Sequence, residues 1–368
     1  MSKFSRLIQA SLSHPAPMLE GDSVWIYGAG NKGREVMRVL ARRGYVIAGF
    51  LDTHAKPGQR VDNIPVLTLN DVNHAPPNHS VVIAIHNYKA EIPALQNAIQ
   101  KKGFQRTLNV VELYNALPGV FPDHYWLTDR TAYRAFGAAL DRLDSLLADE
   151  ASHHWLEAVL RFRLSGDYAA LPEPHLGDQY RPQDLPAWPN PLRFIDCGAF
   201  DGDTLEHLAG AGYAFAAIAA FEPDAENFCR LAQASGQYGN AVCFPCALGS
   251  KTELLRFSAD ADMSSHLSST GTRHVQCVTL DEVLPAFAPN LIKMDIEGAE
   301  LEALRGARRM IARHRPGLAI SLYHTPGHLW QIPLLLQDWD LGYRFYLRGH
   351  ARNSCELVLY ALPAESAT

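Results

Sequence analysis

The sequence predicts an α/β chain made of two parallel-sheet domains with a helical connector between them. Three observations carry this expectation. A strand, a glycine-rich turn and a helix occur in that order twice, from Val24 to Arg43 and again from Phe194 to Ala209. Each start is followed by short apolar runs alternating with amphipathic ones, the pattern of stacked β-α-β units. Between them, Pro172, Pro174, Pro182, Pro186, Pro189 and Pro191 interrupt any regular element, since proline lacks the backbone donor that helices and ladders need. At 368 residues the chain also exceeds one ordinary compact domain of roughly 100–200 residues.

In order, Val24–Tyr27 reads as a strand, Gly28–Gly33 as a turn, Arg34–Arg43 as a helix and Tyr45–Leu51 as a second strand. This is a Rossmann-type opening. A strand at Ser80–Ile85 and a helix at Ile92–Lys102 complete a first domain over 1–115. Tyr125–Leu164 repeats apolar residues at helical spacing, with Leu140, Leu143, Leu147, Trp155, Val159 and Phe162 expected inward, and with His153, His154 and Trp155 assigned to helix packing. Together with the prolines it forms a connector over 116–191. A second domain over 192–368 then runs through strands at Phe194–Asp196, Ala216–Phe221, Ala241–Leu248, Leu291–Asp295 and Leu318–Tyr323. Its helices are Thr204–Ala209, Glu226–Ala234 and a long Ala299–Arg313. Strands at Tyr343–Leu347 and Glu356–Ala361 form a closing antiparallel hairpin.

Composition narrows the function classes. The chain is 47% hydrophobic and 20% charged, so it is neither disordered nor fibrous. With 33 Lys plus Arg against 39 Asp plus Glu, its net charge of −6 exerts no overall pull on nucleic acid or anionic membrane. The basic run Arg305, Arg308, Arg309, Arg313 and Arg315 reads as the solvated face of a sheet-covering helix. Ala209–Phe221 is too short to span a bilayer, and the residues after Lys3 and Arg6 lack a signal-peptide core, so a cytoplasmic location is expected. All six cysteines follow Asn190, unlike a disulfide framework. Cys243-Phe244-Pro245-Cys246 has no second pair to complete a zinc site, and the sequon Asn78-His79-Ser80 is idle in such a compartment.

The two glycine turns differ in charge. In the first, Gly28, Gly30 and Gly33 occupy the G-x-G-x-x-G positions, Lys32 and Arg34 flank them, and Asp52 ends the next strand where a ribose-binding acid would stand. That suits a nucleotide, with bare helix packing as the alternative. The second reads Asp196-Cys197-Gly198-Ala199-Phe200-Asp201-Gly202-Asp203-Thr204, whose three carboxylates would repel a phosphate. Its glycines still admit a ligand to the backbone. S-adenosylmethionine, with an ammonium and a sulfonium but no phosphate, matches such a loop, and Glu222 before Pro223 is placed to accept from two ribose hydroxyls. Asp203 or Thr204 is the candidate helix cap.

Continuing through Cys246-Ala247-Leu248-Gly249, Val278-Thr279-Leu280-Asp281 and Lys293-Met294-Asp295-Ile296-Glu297-Gly298-Ala299-Glu300, residues 192–362 resemble the FkbM-type S-adenosylmethionine-dependent methyltransferases. The resemblance implies a Rossmann-like methyltransferase sheet with an antiparallel last strand and O-methylation of sugar or polyketide hydroxyls. It also implies cofactor contacts at Asp196, Gly198, Ala199, Phe200, Asp201, Gly202, Thr204, Glu222, Pro223, Cys246, Ala247 and Asp295. Tyr114–Pro191, with Gly166-Asp167-Tyr168 and Gln179-Tyr180, resembles the helical segment of longer members. The first loop resembles domains that accompany nucleotide-sugar acyltransferases.

Methyl transfer to an alcohol requires in-line positioning and removal of a proton. His324, just past a strand end, is the expected neutral base, and His350 is a further candidate. Asp295 and Glu297 offer a competing route through a divalent cation such as Mg²⁺, and Lys293 shares a strand face with Asp295 and would orient a carboxylate. His324 and His328 are not expected to pair on a metal, because Pro326 and Gly327 lie between them. The expected partner is a small hydroxylated acceptor, a saccharide or nucleotide sugar. The rival readings are a nucleotide-sugar or NAD enzyme run by the first loop, against which no Tyr-x-x-x-Lys pair follows that loop, and a non-catalytic nucleotide-binding protein.

Overall fold

In the computed structural model, which describes residues 2–19, 21, 23–72, 78–259, 265–267 and 273–364, the chain divides into two units. One comprises Met1–Asp141, His154–Pro174 and Ala351–Cys355, the other Arg142–His153, His175–His350 and Glu356–Thr368.

The first unit holds α1 (Lys3–Ser13), β1 (Ser23–Tyr27), α2 (Asn31–Arg42), β2 (Val46–Leu51), β3 (Arg60–Val61), β4 (Ile64–Leu67), β5 (His79–Ile83), α3 (Ile92–Lys101), β6 (Arg106–Asn109) and α4 (Val110–Ala116). The sheet order is β3-β4-β2-β1-β5-β6, parallel except between β3 and β4. Strand order reverses at β1, so the turn after β1 opens the crevice where such sheets bind ligands. Trp25, Tyr27, Val81, Ile83, Ile92, Ile99 and Phe104 pack one core of this unit.

Further along are α5 (Gly137–Leu146) and α6 (Glu150–Ser165). The six apolar residues expected inward along this stretch are all buried, but the α-helices begin only at Gly137. His124 and Leu127 form a β-bridge, and Arg130–Tyr133 is a 3-10 turn capped by Asp129.

The second unit carries β7 (Leu192–Cys197), α7 (Asp203–Gly210), β8 (Phe215–Phe221), α8 (Ala225–Ser235), β9 (Ala241–Phe244), β10 (Ala247–Leu248), β11 (Glu253–Ala259), β12 (Ser265–Leu267), β13 (Arg273–Val278), α9 (Leu280–Val283), β14 (Leu291–Met294), α10 (Glu300–Gly306), α11 (Arg308–His314), β15 (Gly317–Ser321), α12 (His328–Asp338), β16 (Tyr343–Gly349) and β17 (Leu357–Pro363). Seven strands form the main sheet in the order β16-β17-β15-β14-β7-β8-β9. Only β17 runs against its neighbours, so the closing hairpin expected from the sequence is present. A four-stranded sheet, β10-β13-β11-β12, accompanies it. Phe194, Ile218, Leu291, Ala319 and Val358 share the main core cluster. Here the order reverses between β7 and β14, which brings the loops after Cys197 and Met294 side by side.

Two expected elements are broken. The strand Ala241–Leu248 is two strands, because Pro245 has no N–H to continue the ladder. The helix Ala299–Arg313 splits at Ala307, where a side chain at Gly306 would lie 2.0 Å from the Gly249 carbonyl oxygen. A backbone that approaches another so closely bends to fit it.

Candidate active site

The acidic loop follows β7. Gly198 has φ +79°, and a Cβ there would sit 1.9 Å from the Asp295 carbonyl oxygen, so this position admits only glycine. Gly202 (φ +96°) and Phe200 (φ +48°) are also left-handed, and Gly198 and Ala199 both donate to the Phe221 carbonyl. These bonds fasten the loop to the end of β8. Helix α7 begins at Asp203 with Gly202 as its cap residue. Asp203 accepts from the Thr204 amide, so neither residue is the N-cap, while Asp201 stays half-buried.

Glu222, at the tip of β8, accepts the Phe200 amide on Oε2 (3.0 Å) and the Asp224 amide on Oε1 (2.8 Å). Burial raises its carboxyl to about 7 although the two amides pull it down. Asp224 then caps α8 through the Glu226 and Asn227 amides. Pro223, half-buried, separates the two acids.

Beneath the loop, fully buried Asp196 lies 3.0 Å from Lys293 Nζ, which also donates to the Gly198 carbonyl. Burial lifts the Asp196 carboxyl to about 6, with Lys293 opposing. Burial would strip the lysine of its proton, but Asp196 holds Lys293 above the ordinary lysine range. The carboxylate that Lys293 meets is thus Asp196.

Asp295 follows β14 with its side chain 22% exposed. Its Oδ2 accepts from Tyr180 (2.7 Å), and its Oδ1 lies 3.4 Å from the Tyr323 hydroxyl and 3.2 Å from His324 Nε2. Tyr180 is set by its own backbone: its amide donates to the Tyr360 hydroxyl and its carbonyl accepts from Trp188 Nε1. Glu297 Oε2 is 3.8 Å from His324 Nε2, on a left-handed residue (φ +56°).

The neutral imidazole expected at residue 324 is not what these surroundings favour. His324 Nδ1 meets buried Glu300 Oε1 at 2.7 Å, and Glu300 Oε2 lies 3.2 Å from His328 Nδ1. Burial would discharge the ring, yet Glu300 first, then Asp295 and Glu297, raise it to about 10, so at neutral pH it is an imidazolium. Burial opposes the charge on Glu300, but His324 and His328 hold that carboxyl well below the usual range. His350 is likewise no base: its Nδ1 meets the His175 carbonyl, its Nε2 the Tyr360 hydroxyl, and burial lowers it to about 4.

Ligand atoms of Asp295, Glu300 and His324 come close enough together to hold a metal ion. The donor set does not suit one. Glu300 Oε1 already takes the His324 ring and the Ile296 amide (2.9 Å), and His328 takes its other oxygen. Such an arrangement is an ion-pair network, and it supplies no support for the Mg²⁺ route.

Cys246 and Ala247 come just after β9, the neighbour of β8. Cys246 is half-buried and Ala247 starts β10. Cys243 and Cys246 form no disulfide. The structure adds three residues that sequence reasoning missed: Tyr323, Glu356 and Glu300. Glu356 accepts from Tyr323 (3.0 Å) and from Gln179 Nε2 (2.7 Å). Gln179-Tyr180 and Glu300 stand in stretches that carry the family resemblance, but nothing in the sequence marks Glu356.

In the first unit the turn after β1 has a comparable frame. Gly28 is left-handed (φ +103°), and a Cβ at Gly33 would lie 1.9 Å from the Gly28 oxygen, while Gly30 faces open space. Asp52 accepts from the amides of Ala29 (2.9 Å) and His54 (2.9 Å). Lys32 is bound by Glu35 (2.6 Å) and the Tyr114 hydroxyl (3.1 Å), so it is committed to partners in its own unit.

The seven-stranded order with one antiparallel strand, and the glycine loop at its reversal point, define the second unit as a methyltransferase-type α/β fold. The family model described as a methyltransferase FkbM domain matches residues 196–345, and that described as a PglD N-terminal domain matches residues 23–91. The two matches fall on separate parts of the chain, one in each unit. A solved structure of methyltransferase FkbM from Methylobacillus flagellatus KT shares the fold along the whole length: 23% identity, 97% of this chain and 98% of that one, TM-score 0.81. Far weaker likenesses, which carry no argument, are to a Geobacter metallireducens GS-15 precorrin-6y C5,15-methyltransferase and to Aeropyrum pernix fibrillarin with bound S-adenosyl-L-methionine. The first has 12% identity, 48% and 81% coverage and TM-score 0.29; the second 11%, 47% and 67%, and 0.30. No curated protein matches the chain. Among the described residues, no helix is long and apolar enough to cross a membrane.

Proposed function

We propose that the protein transfers the methyl group of S-adenosylmethionine to a hydroxyl of a small molecule, of the saccharide or nucleotide-sugar class. The observation that carries the cofactor is Glu222. Each of its oxygens accepts one backbone amide, which fixes the carboxylate plane and leaves each oxygen a lone pair for a ribose hydroxyl. Asp201 and Asp203 on the same loop make it hostile to a pyrophosphate and suited to a cationic ligand. Gly198, Ala199, Phe200, Gly202 and Thr204 form the wall that such a ligand would meet.

Bound there, the sulfonium supplies an electrophilic methyl group. The rest falls to this chain. Lys293 neutralises Asp196 and ties down Gly198, keeping the loop rigid. Asp295, partly exposed at the adjoining strand end, is the group placed to take the hydroxyl proton. Tyr180 orients its carboxylate, and the His324 imidazolium lies 3.2 Å from its Oδ1. Glu297, 30% exposed, stands at the rim.

Calorimetry with S-adenosylmethionine, NAD and UDP-sugars tests the cofactor, and tritium transfer from the labelled methyl group to sugar alcohols tests the chemistry. Binding of NAD without S-adenosylmethionine would reverse the reading.

A further inference from the structure

Two carboxylates and a phenol form a chain of which the chemistry above uses only Asp295. Tyr323, immediately past β15, lies 3.0 Å from Glu356 Oε1 and 3.4 Å from Asp295 Oδ1, so its hydroxyl bridges the two acids. Gln179 fixes the other Glu356 oxygen at 2.7 Å, and Tyr180 fixes the other Asp295 oxygen. Glu356 itself has φ +49°, a conformation that a non-glycine residue adopts at a cost, and its carbonyl accepts the His350 amide to close the hairpin. Strain kept at a half-buried acid that faces a second acid is a sign of a working group.

We propose that Glu356 is the final acceptor of the proton released in methyl transfer, with Tyr323 as the relay from Asp295. The proposal rests on the methyltransferase reading of the cleft and adds a residue to it. As the acceptor oxygen bonds to the methyl carbon and the carbon–sulfur bond breaks, the hydroxyl proton passes to Asp295 Oδ1. Tyr323 takes that proton on its oxygen and gives its own hydroxyl hydrogen to Glu356 Oε1. Asp295 is left ionised beside His324, and Glu356 is left as a neutral acid that donates back to Tyr323.

The surroundings suit each part. Burial first, then the charge of Asp295, raises Glu356 to about 7, while Gln179, Tyr323 and the His324 cation pull against them. An acid poised there accepts a proton near neutrality with little driving force lost. Burial and the same acids hold Tyr323 well above its ordinary value, so it stays protonated and passes protons without becoming a phenolate.

The experiment uses the full chain labelled with carbon-13 at the glutamate carboxyls and titrated by NMR from about pH 5 to about pH 9 without ligand. Glu222 and Glu356 are expected to titrate near neutrality. One of these signals should vanish in E356Q and move to lower pH in D295N, where the repelling charge is gone. A Glu356 signal in the ordinary glutamate range, or one unmoved in D295N, overturns the proposal. In parallel, tritium transfer from S-adenosyl-[methyl-³H]methionine to glucose, rhamnose and UDP-glucose is followed against pH.

E356Q, shown folded by circular dichroism, should keep its S-adenosylmethionine affinity within about twofold, lose roughly 10- to 100-fold in turnover and lose the acid limb near pH 7. E356D should restore part of both, and Y323F should resemble E356Q. An unchanged pH profile in E356Q overturns the relay. Failure of the wild type to bind S-adenosylmethionine removes the methyltransferase reading, and the relay with it. A D295N spectrum without the shift, in a protein that binds the cofactor, removes the relay alone.

Discussion

The two glycine turns solve the same problem with different backing. In each, a strand-end acid grips amides of its own loop: Asp52 takes those of Ala29 and His54, Glu222 those of Phe200 and Asp224. In each, one glycine lets two backbones meet so closely that a Cβ would lie 1.9 Å from a carbonyl oxygen, at Gly33 and at Gly198. They part in what lies underneath. The first loop turns its lysine to Glu35 and Tyr114, whereas the second rests on a buried Asp196–Lys293 pair and abuts a second acid-bearing strand end. A glycine pattern thus specifies a turn, and the charges beneath it specify what the turn can bind.

The largest expected effect breaks that backing. Lys293→Met leaves Asp196 buried without its cation and should destabilise the second unit by about 3–5 kcal/mol, read as a fall in its denaturant midpoint. A loss under about 1 kcal/mol would show that the pair is not what holds the loop. Next comes Gly198→Ala, which should cost about 2–4 kcal/mol through its left-handed φ and the clash with the Asp295 carbonyl. Gly30→Val, with open space around its Cβ and an extended backbone, should cost under about 1 kcal/mol. Equal melting shifts for the two would erase the distinction drawn between the loops.

The pH effects sharpen the comparison. The His324 imidazolium has its pKa raised from the unfolded value near 6.5 to about 10. Its contribution is therefore complete below about pH 6.5 and is lost as pH rises through about 10. Wild type should lose thermal stability over that window, and His324→Asn should lose much less; parallel curves would contradict the ion-pair assignment. Smallest in energy, Glu222 must be ionised to accept ribose hydroxyls and has its pKa raised to about 7, so cofactor affinity should fall as pH drops below that point. Asp52→Ala should leave that affinity untouched.

Much of this was legible because strand, glycine turn and helix are local patterns. Gly198, Asp196 and Glu222 were readable from their places at strand ends, and the closing hairpin from two apolar runs with a polar loop between them. What escaped depends on distant contacts. The kink at Ala307 arises where Gly306 meets Gly249, and the charge of His324 is set by Glu300, 24 residues away in sequence and joined to it only by the fold. Glu356 reads as an ordinary polar residue opening a strand; only the pairing of β17 with β15 brings it to Tyr323. Pro245, by contrast, stood in the sequence as a reason to end β9 early.

The central claim is that the acidic second loop, with Glu222, binds S-adenosylmethionine without help from the first loop. Calorimetric titration of S-adenosylmethionine into wild type, Glu222→Ala and Gly30→Val tests it most directly. The account predicts binding to wild type, affinity lower by roughly 10- to 150-fold in Glu222→Ala for a loss of ~1.5–3 kcal/mol, and wild-type affinity in Gly30→Val. Unchanged affinity in a folded Glu222→Ala, or affinity lost in a folded Gly30→Val, would contradict it.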